Sequence, residues 1–539
     1  MYRFGKKYIY EIGLSFFSVL TFFISLYYMF PEVWSSDSLF EWETWQGFAT
    51  GADGYYYAYQ VREFIARGYF PSPEVSPVLY FMAIVATVLG NVIASNKVAA
   101  VLIKVAFVFP AYHIGRSLFS PKAGSVFAVL LVSSSFMNYY TYQYIKNSGA
   151  LFFFLCFLVY LVKFSKNREF HNTSYKYNVG LVLFFVLAFL SHKTTAFLSF
   201  LTVVIYIIYQ YKSKIYMIVA VGLVLLATFF LAGHFLPNIV YIGDLLRFEG
   251  YFSGNLSCAA CEYITRAGLA LQLETLLFLF SLPVFLLFLL NKSFRSKIFQ
   301  TKEAKIVASI MALIFLFAVN PFGGSINNDM TFRLFILVFI PGAFFISTIL
   351  GFSIDFFQSK IQRREDLFSK KWRRAIGVAL LTLFSFFALP NQVISAKRFE
   401  KSSLHDYKLY SQLMPFIKDL PQNSLLVIHQ GFDYFYWYHT GKKAFHFMPE
   451  KKHEDRALYR MAWGVPRNGF ILVLKESGHM DQLATVKYLP GNYILLEEET
   501  WRLYLQFITP EEKAKLNNWR NPHTYRKEYL LRNQQFRKK

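Results

Sequence analysis

Charge is scarce in this sequence. Only 17% of its 539 residues are Asp, Glu, Lys or Arg, whereas a soluble domain usually carries about a quarter. That shortage excludes the string of soluble domains that the length alone would suggest. A hydrophobic share of 55%, with 20% aromatic, excludes a disordered chain. Cysteine is scarcer still: Cys156 lies in an apolar run, and Cys258 and Cys261 form one CxxC. Three cysteines exclude a disulfide scaffold or a cysteine-held cluster, and the CxxC lacks the fold context of a redox motif, so it reads as structural. His439, His446 and His453 have no metal-ligand spacing. Walker loops and dinucleotide fingerprints are missing, which argues against ATP-driven transport.

Long apolar runs are abundant, and they set the fold class: a polytopic α-helical membrane protein. Runs of roughly 16–23 residues suffice to cross a hydrocarbon core at about 1.5 Å per residue. Eleven spans are expected: Ile12–Phe30, Val98–Gly115, Ala123–Tyr140, Gly149–Lys163, Val179–Ser191, Thr195–Tyr211, Tyr216–Gly233, Gly268–Leu290, Ile306–Asn320, Phe332–Phe352 and Trp372–Pro390. The first follows a basic start without a small-residue cleavage site, so it reads as an uncleaved span.

The net charge of +23, from 56 basic and 33 acidic side chains, would suggest nucleic acid in a soluble protein. Here it is a topology signal, and no nucleic-acid partner is expected. With eleven spans, Arg116, Lys122, Lys166, Lys292, Arg295, Lys297, Lys302, Lys305 and most other basic loop residues face the cytoplasm, as the positive-inside rule requires. Counting the short run Pro77–Gly90 as a twelfth span would invert the later loops, so that run is expected along the outer surface. The first outer loop, residues 31–97, is then roughly 70 residues long, a length usually tied to function.

After Pro390 the composition changes. Ser424–His429, Gly469–Leu474 and Asn492–Leu496 read as strands between helix-compatible stretches. The expected layout is a transmembrane domain over 1–390, a small outer α/β domain over 391–510 and a basic tail over 511–539. The tail suits either anionic lipid or a frayed solvated helix.

The first outer loop carries the most informative motif, Gly51-Ala-Asp53-Gly-Tyr55-Tyr56-Tyr57. Asp53 precedes a run with helical amphipathicity. In that position a carboxylate can cap the helix, or it can serve as a general base at the membrane surface, taking the proton of an acceptor hydroxyl while a phosphate leaves. Flanking glycines allow close approach of a substrate to the backbone. Glu41, Glu43, Tyr55 and Tyr56 are further loop or acceptor candidates. A phosphate-bearing donor needs cations on the same side, and Lys146 with Asn147, His192 with Lys193, and Arg333 supply them; snorkelling to the headgroups is the plainer role for each basic residue. Lys104 and Glu274 are charged within spans, so both are expected to face the protein interior near the phosphate site, as an ion pair. Aromatics at Tyr434–Tyr438 suit either sugar contact or a domain core.

This layout resembles the GT-C superfamily of membrane glycosyltransferases, which includes protein O-mannosyltransferases, aminoarabinose transferases and oligosaccharyltransferase catalytic subunits. The likeness lies in a long first outer loop with an acid soon after the first span, a surface helix in that loop, and a soluble domain after the last span. It implies an inverting transfer from a polyprenyl-phosphate-linked sugar, with Asp53 as the catalytic or metal-organising carboxylate. The acceptor would be a lipid, glycan or protein, at the outer face of the plasma (inner) membrane. A divalent cation, Mg2+ or Mn2+, would need several oxygen ligands, and only Asp37, Glu41 and Glu43 lie near Asp53 in sequence. The second outer loop, around Lys146, carries no acid, and no Trp-Trp-Asp-Tyr-Gly motif appears, which disfavours asparagine-linked transfer. Two alternatives stay open: a surface-polysaccharide polymerase or ligase, whose large loop usually comes late in the chain, and a lipid-linked sugar flippase or transporter, which usually shows internal pseudo-symmetry.

Overall fold

The computed structural model describes residues 9–30, 49–51, 53–71, 75–169, 175–211, 269–319, 329–363, 424–428, 432–441, 444–446, 470–475, 486–489 and 493–497, with a few isolated positions between. Two compact units result: one comprises Met1–Trp45, Pro73–Val88 and Lys97–Phe399, the other Gln46–Ser72, Leu89–Asn96 and Glu400–Lys539.

The first unit is helical because its runs have one way to satisfy their backbone in lipid. Among the described residues, six helices are long and apolar enough to cross a membrane: Tyr10–Met29, Val92–Leu118, Ile145–Lys166, Lys193–Tyr211, Leu271–Phe288 and Phe332–Phe356. The chain is an integral membrane protein. Tyr175–Ser191 is apolar but shorter, and Lys302–Val319 is a helix of 18 residues with a charged first turn. The expected spans Tyr216–Gly233 and Trp372–Pro390 fall outside the described residues. In the Tyr10–Met29 helix, Ile12, Phe16, Val19 and Phe23 are exposed; the spacing of four, three and four marks one apolar stripe suited to lipid.

One expected span is broken. Ala123–Tyr140 divides into helices Pro121–Ser133 and Ser135–Gln143, bent by 51°. Ser134 has extended backbone at the break, and its side-chain oxygen accepts from Phe136 N. Upstream, the Val108–Leu118 and Pro121–Ser133 helices touch backbone to backbone. A Cβ on Gly115 would stand 2.6 Å from Gly124 Cα, so small residues set this crossing.

Pro77–Leu89 is a helix of 13 residues, about 20 Å long at 1.5 Å per residue, short of the roughly 30 Å core. Its Val78 packs on Gly149, at the start of the Ile145–Glu169 helix.

The second unit holds a five-stranded mixed sheet of order β2-β1-β3-β5-β4, with β1 Ser424–Ile428, β2 Ala444–His446, β3 Phe470–Lys475, β4 Val486–Leu489 and β5 Tyr493–Glu497. β1 pairs parallel with β2 and antiparallel with β3; β3 pairs parallel with β5, and β4 pairs antiparallel with β5. Helix Phe432–Thr440 lies between β1 and β2 in sequence, and it packs on the loop-one helix Gly54–Arg67.

Candidate active site

Asp53 immediately precedes the Gly54–Arg67 helix. Gly51 holds φ 75° and Gly54 N donates to Gly51 O at 3.1 Å, which closes the turn before the helix. Positive φ favours glycine at 51, and a Cβ on Gly54 would meet Ala49 Cβ at 3.0 Å. The two glycines thus serve the turn itself. Asp53 is half-buried, and its side chain makes no capping hydrogen bond to the helix. The capping role expected of an acid at this position is therefore not the one its carboxylate plays.

The helix that follows is held by rings. Tyr55 meets Phe435 edge-on at 4.9 Å, Tyr56 meets Tyr434 at 5.0 Å, and Tyr59 lies 3.8 Å from Trp437 between centroids. Arg62 donates to Tyr438 O and pairs with Glu63 at 2.8 Å. Tyr55 and Tyr56 are buried, so these acceptor candidates are packing residues, as are the buried rings of Tyr434, Tyr436 and Trp437. Burial, then the Glu63 charge, pushes the Tyr59 phenol well up, so Tyr59 stays neutral.

Within the first unit, the structure brings together the cations that sequence scattered. Lys146 lies at the start of the Ile145–Glu169 helix, with buried Asn147 beside it. His192 occupies the junction between the Tyr175–Ser191 and Lys193–Tyr211 helices. Arg333 lies in the short Asp329–Phe335 helix, its guanidinium 4.8 Å from the Tyr144 ring centroid. Burial, followed by the charges of Lys146, Arg333 and Lys193, holds the His192 pKa well below its ordinary value. These three cations are therefore close enough to act on one imidazole. Thr194 N donates to His192 Nδ1 at 3.2 Å, so in the neutral ring Nε2 carries the hydrogen. Lys146, Lys193, Arg333 and His192 carry two ammonium groups, a guanidinium and an N–H donor, chemistry suited to phosphate. Tyr144 and Tyr140, whose hydroxyl donates to Arg333 O at 3.3 Å, adjoin Arg333; their place in the run Tyr139–Tyr144 was the one available signal.

Lys104 and Glu274 do not form the expected ion pair. Lys104, fully buried, donates to Ser25 Oγ at 2.8 Å and Asn138 Oδ1 at 2.6 Å. Glu274 accepts from Ser135 N at 3.0 Å and from Ser135 Oγ. The carboxylate thus meets the Ser135 N–H opened at the 51° break, and the ammonium meets Asn138 three residues further along the same helix. Glu41 and Glu43, with Asp37, lie outside the described residues. Among the described residues, no group of three or more His, Cys, Asp or Glu side chains is placed to hold a metal ion.

The two ends of this bundle differ. The Ile145–Glu169, Lys193–Tyr211 and Phe332–Phe356 helices begin at the cluster. Towards their far ends, Lys166 donates to Ser117 O, Gln210 accepts from Lys302, and Asp355 pairs with Lys122 at 2.6 Å and Lys297 at 2.9 Å.

Residues 75–233 match the family described as dolichyl-phosphate-mannose-protein mannosyltransferase. A search of the curated proteins by sequence finds no significant match. Among solved structures, ArnT from Cupriavidus metallidurans bound to undecaprenyl phosphate superposes with a TM-score of 0.50 at 13% identity, covering 79% of this chain and 85% of that one. The archaeal oligosaccharyltransferase AglB from Archaeoglobus fulgidus, in complex with an inhibitory peptide and a dolichol-phosphate, also gives 0.50 at 13% identity, covering 82% of this chain and 64% of that one. The fold is that of these membrane transferases. With 13% identity the likeness is one of fold, and the family match is confined to residues 75–233.

Proposed function

We propose that the protein moves a sugar, with inversion, from a polyprenyl-phosphate-linked donor to a lipid, glycan or protein acceptor at the outer face of the plasma (inner) membrane. The observation that carries this reading is that Arg333 lies 4.8 Å from the ring centroid of Tyr144, two residues from Lys146, while the charges of Lys146, Arg333 and Lys193 all bear on buried His192. Sidedness is supported by loop charge: Lys122, Lys166, Lys297 and Lys302, all expected inside, gather at the bundle end remote from the cluster.

In the proposed step, the Asp53 carboxylate takes the proton of the acceptor hydroxyl. The acceptor oxygen bonds to the anomeric carbon from the face opposite the phosphate, as the bond from that carbon to the phosphate oxygen breaks. The carrier leaves as its phosphate, keeping the electron pair. Lys146, Lys193, Arg333 and the His192 Nε2–H neutralise the charge that gathers on the departing oxygens, which is where fixed donors lower a barrier most. The outer α/β domain would help to place the acceptor.

The test uses undecaprenyl phosphate as probe, with undecaprenol as the uncharged control. Purified wild-type protein should retain the phosphate over the alcohol. The double variant Lys146→Gln/Arg333→Gln should lose that preference by roughly tenfold or more, since charge-assisted bonds contribute about twice a neutral one. Equal retention of both lipids by wild type, or undiminished preference in the double variant, overturns the assignment.

A further inference from the structure

A second built feature lies at the other end of the first unit. A cavity of about 690 Å³ is bounded by the Lys193–Tyr211, Leu269–Phe288, Lys292–Ile298 and Lys302–Val319 helices together with Phe345. Lys292, Arg295 and Lys305 rim it, with no carboxylate in its lining. Its lining also includes the apolar residues Leu282, Leu286, Leu289 and Ala312.

Polarity is ordered along this cavity. On one wall the lining runs from Lys305 through Ser309 to Ala312, spacings of four and three that keep it on a single helix face and carry it about 10 Å along the axis. On the facing wall, Leu282, Leu286 and Leu289 lead to Lys292 and Arg295. Both walls thus place cations at the same end and hydrocarbon at the other. Tyr209 and Ser309 hydroxyls, 2.9 Å apart, add one polar pair next to the charged end.

The cationic end is held in position. Asn291 Oδ1 accepts from Ser293 N at 2.9 Å and Phe294 N at 3.2 Å, capping the Lys292–Ile298 helix. Phe294 is fully buried among Phe285, Phe288 and Phe352. Rotation of that helix is thereby fixed, with Lys292 and Arg295 exposed. Their neighbour Lys297 pairs with Asp355 at 2.9 Å; among the described residues, Lys292, Arg295 and Lys305 have no such acid.

We propose that this cavity is a binding site for an anionic phospholipid, its phosphate among Lys292, Arg295 and Lys305 and an acyl chain along Leu282, Leu286 and Ala312. Charge complementarity selects the occupant: three cations above an apolar slot between membrane helices match a headgroup phosphate joined to hydrocarbon. The site is separate from the donor cluster, and it does not depend on the catalytic reading.

Native mass spectrometry of the purified full-length protein, exposed to phosphatidylglycerol or phosphatidylcholine, tests this. Wild type should retain phosphatidylglycerol preferentially. The triple variant Lys292→Gln/Arg295→Gln/Lys305→Gln should lose the preference by roughly tenfold or more, with three surface cations contributing, while Lys176→Gln, an exposed basic residue elsewhere, should keep it. Ala312→Trp, which leaves every cation and fills the slot, should also lose it. Equal retention of both lipids by wild type overturns the proposal. So does an equal loss in the triple variant and Lys176→Gln, or full retention in Ala312→Trp, because each outcome means diffuse surface attraction.

Discussion

His192 senses three positive charges, and its proton reports their presence. Burial first, and the charges of Lys146, Arg333 and Lys193 next, keep the imidazole neutral below its ordinary range. As pH falls past the unfolded value of about 6.5, the unfolded chain takes up the proton before the folded one does. The stability contribution is therefore present above that value and is lost as pH falls through the lower folded pKa. Thermal unfolding measured from about pH 8 to about pH 5 should show a drop at the acid end that His192→Gln reduces; identical pH profiles in the two proteins contradict the cluster. At the same scale, Asp53 stood out as a candidate in the sequence because two glycines isolate a carboxylate in a long loop expected outside. What was not legible was that Gly51 and Gly54 serve a turn and a close backbone contact with Ala49.

At the scale of elements, the loop-one helix and the Phe432–Thr440 helix form one ring-packed pair. The turn that bears Asp53 is thus fixed through Tyr55, Tyr56 and Tyr59 to residues of the carboxy-terminal region. Trp437→Ala should remove the ring against Tyr59 and cost about 3–5 kcal/mol of packing locally. The expected outcome is faster limited proteolysis near residue 68 and reduced sugar transfer, with undecaprenyl phosphate retention unchanged. Wild-type proteolysis and transfer would show that the pair does not hold the acid. No sequence pattern reveals such a pairing: Arg62 and Tyr438 stand 376 positions apart, and a tyrosine run reads equally as sugar platform or core. The break at Ser134 was hidden for a related reason. Apolar residues continue on both sides, and only the triplet Ser133-Ser134-Ser135 marks where the backbone needs other partners. Glu274 supplies one of them, which is why it does not pair with Lys104.

Over the whole molecule, what sequence conveyed best was what the bilayer dictates. Long apolar runs had to be helices, and the described ones are; of the basic loop residues, Lys122 and Lys297 meet at Asp355. The GT-C likeness came from the order of parts along the chain, which survives at 13% identity. The convergence of Lys146, His192, Lys193 and Arg333 could not be read from order, since it depends on which helix ends meet. The central claim is that Asp53 activates an acceptor for transfer from a lipid-linked donor. Its most direct test compares surface glycans and glycoproteins by mass spectrometry in a deletion strain complemented with wild type or Asp53→Asn. Wild type should restore a sugar missing from one acceptor, while Asp53→Asn, present at the same level and retaining undecaprenyl phosphate, should be slower by roughly 10²- to 10⁴-fold. Full restoration of the modified acceptor by Asp53→Asn would contradict the account.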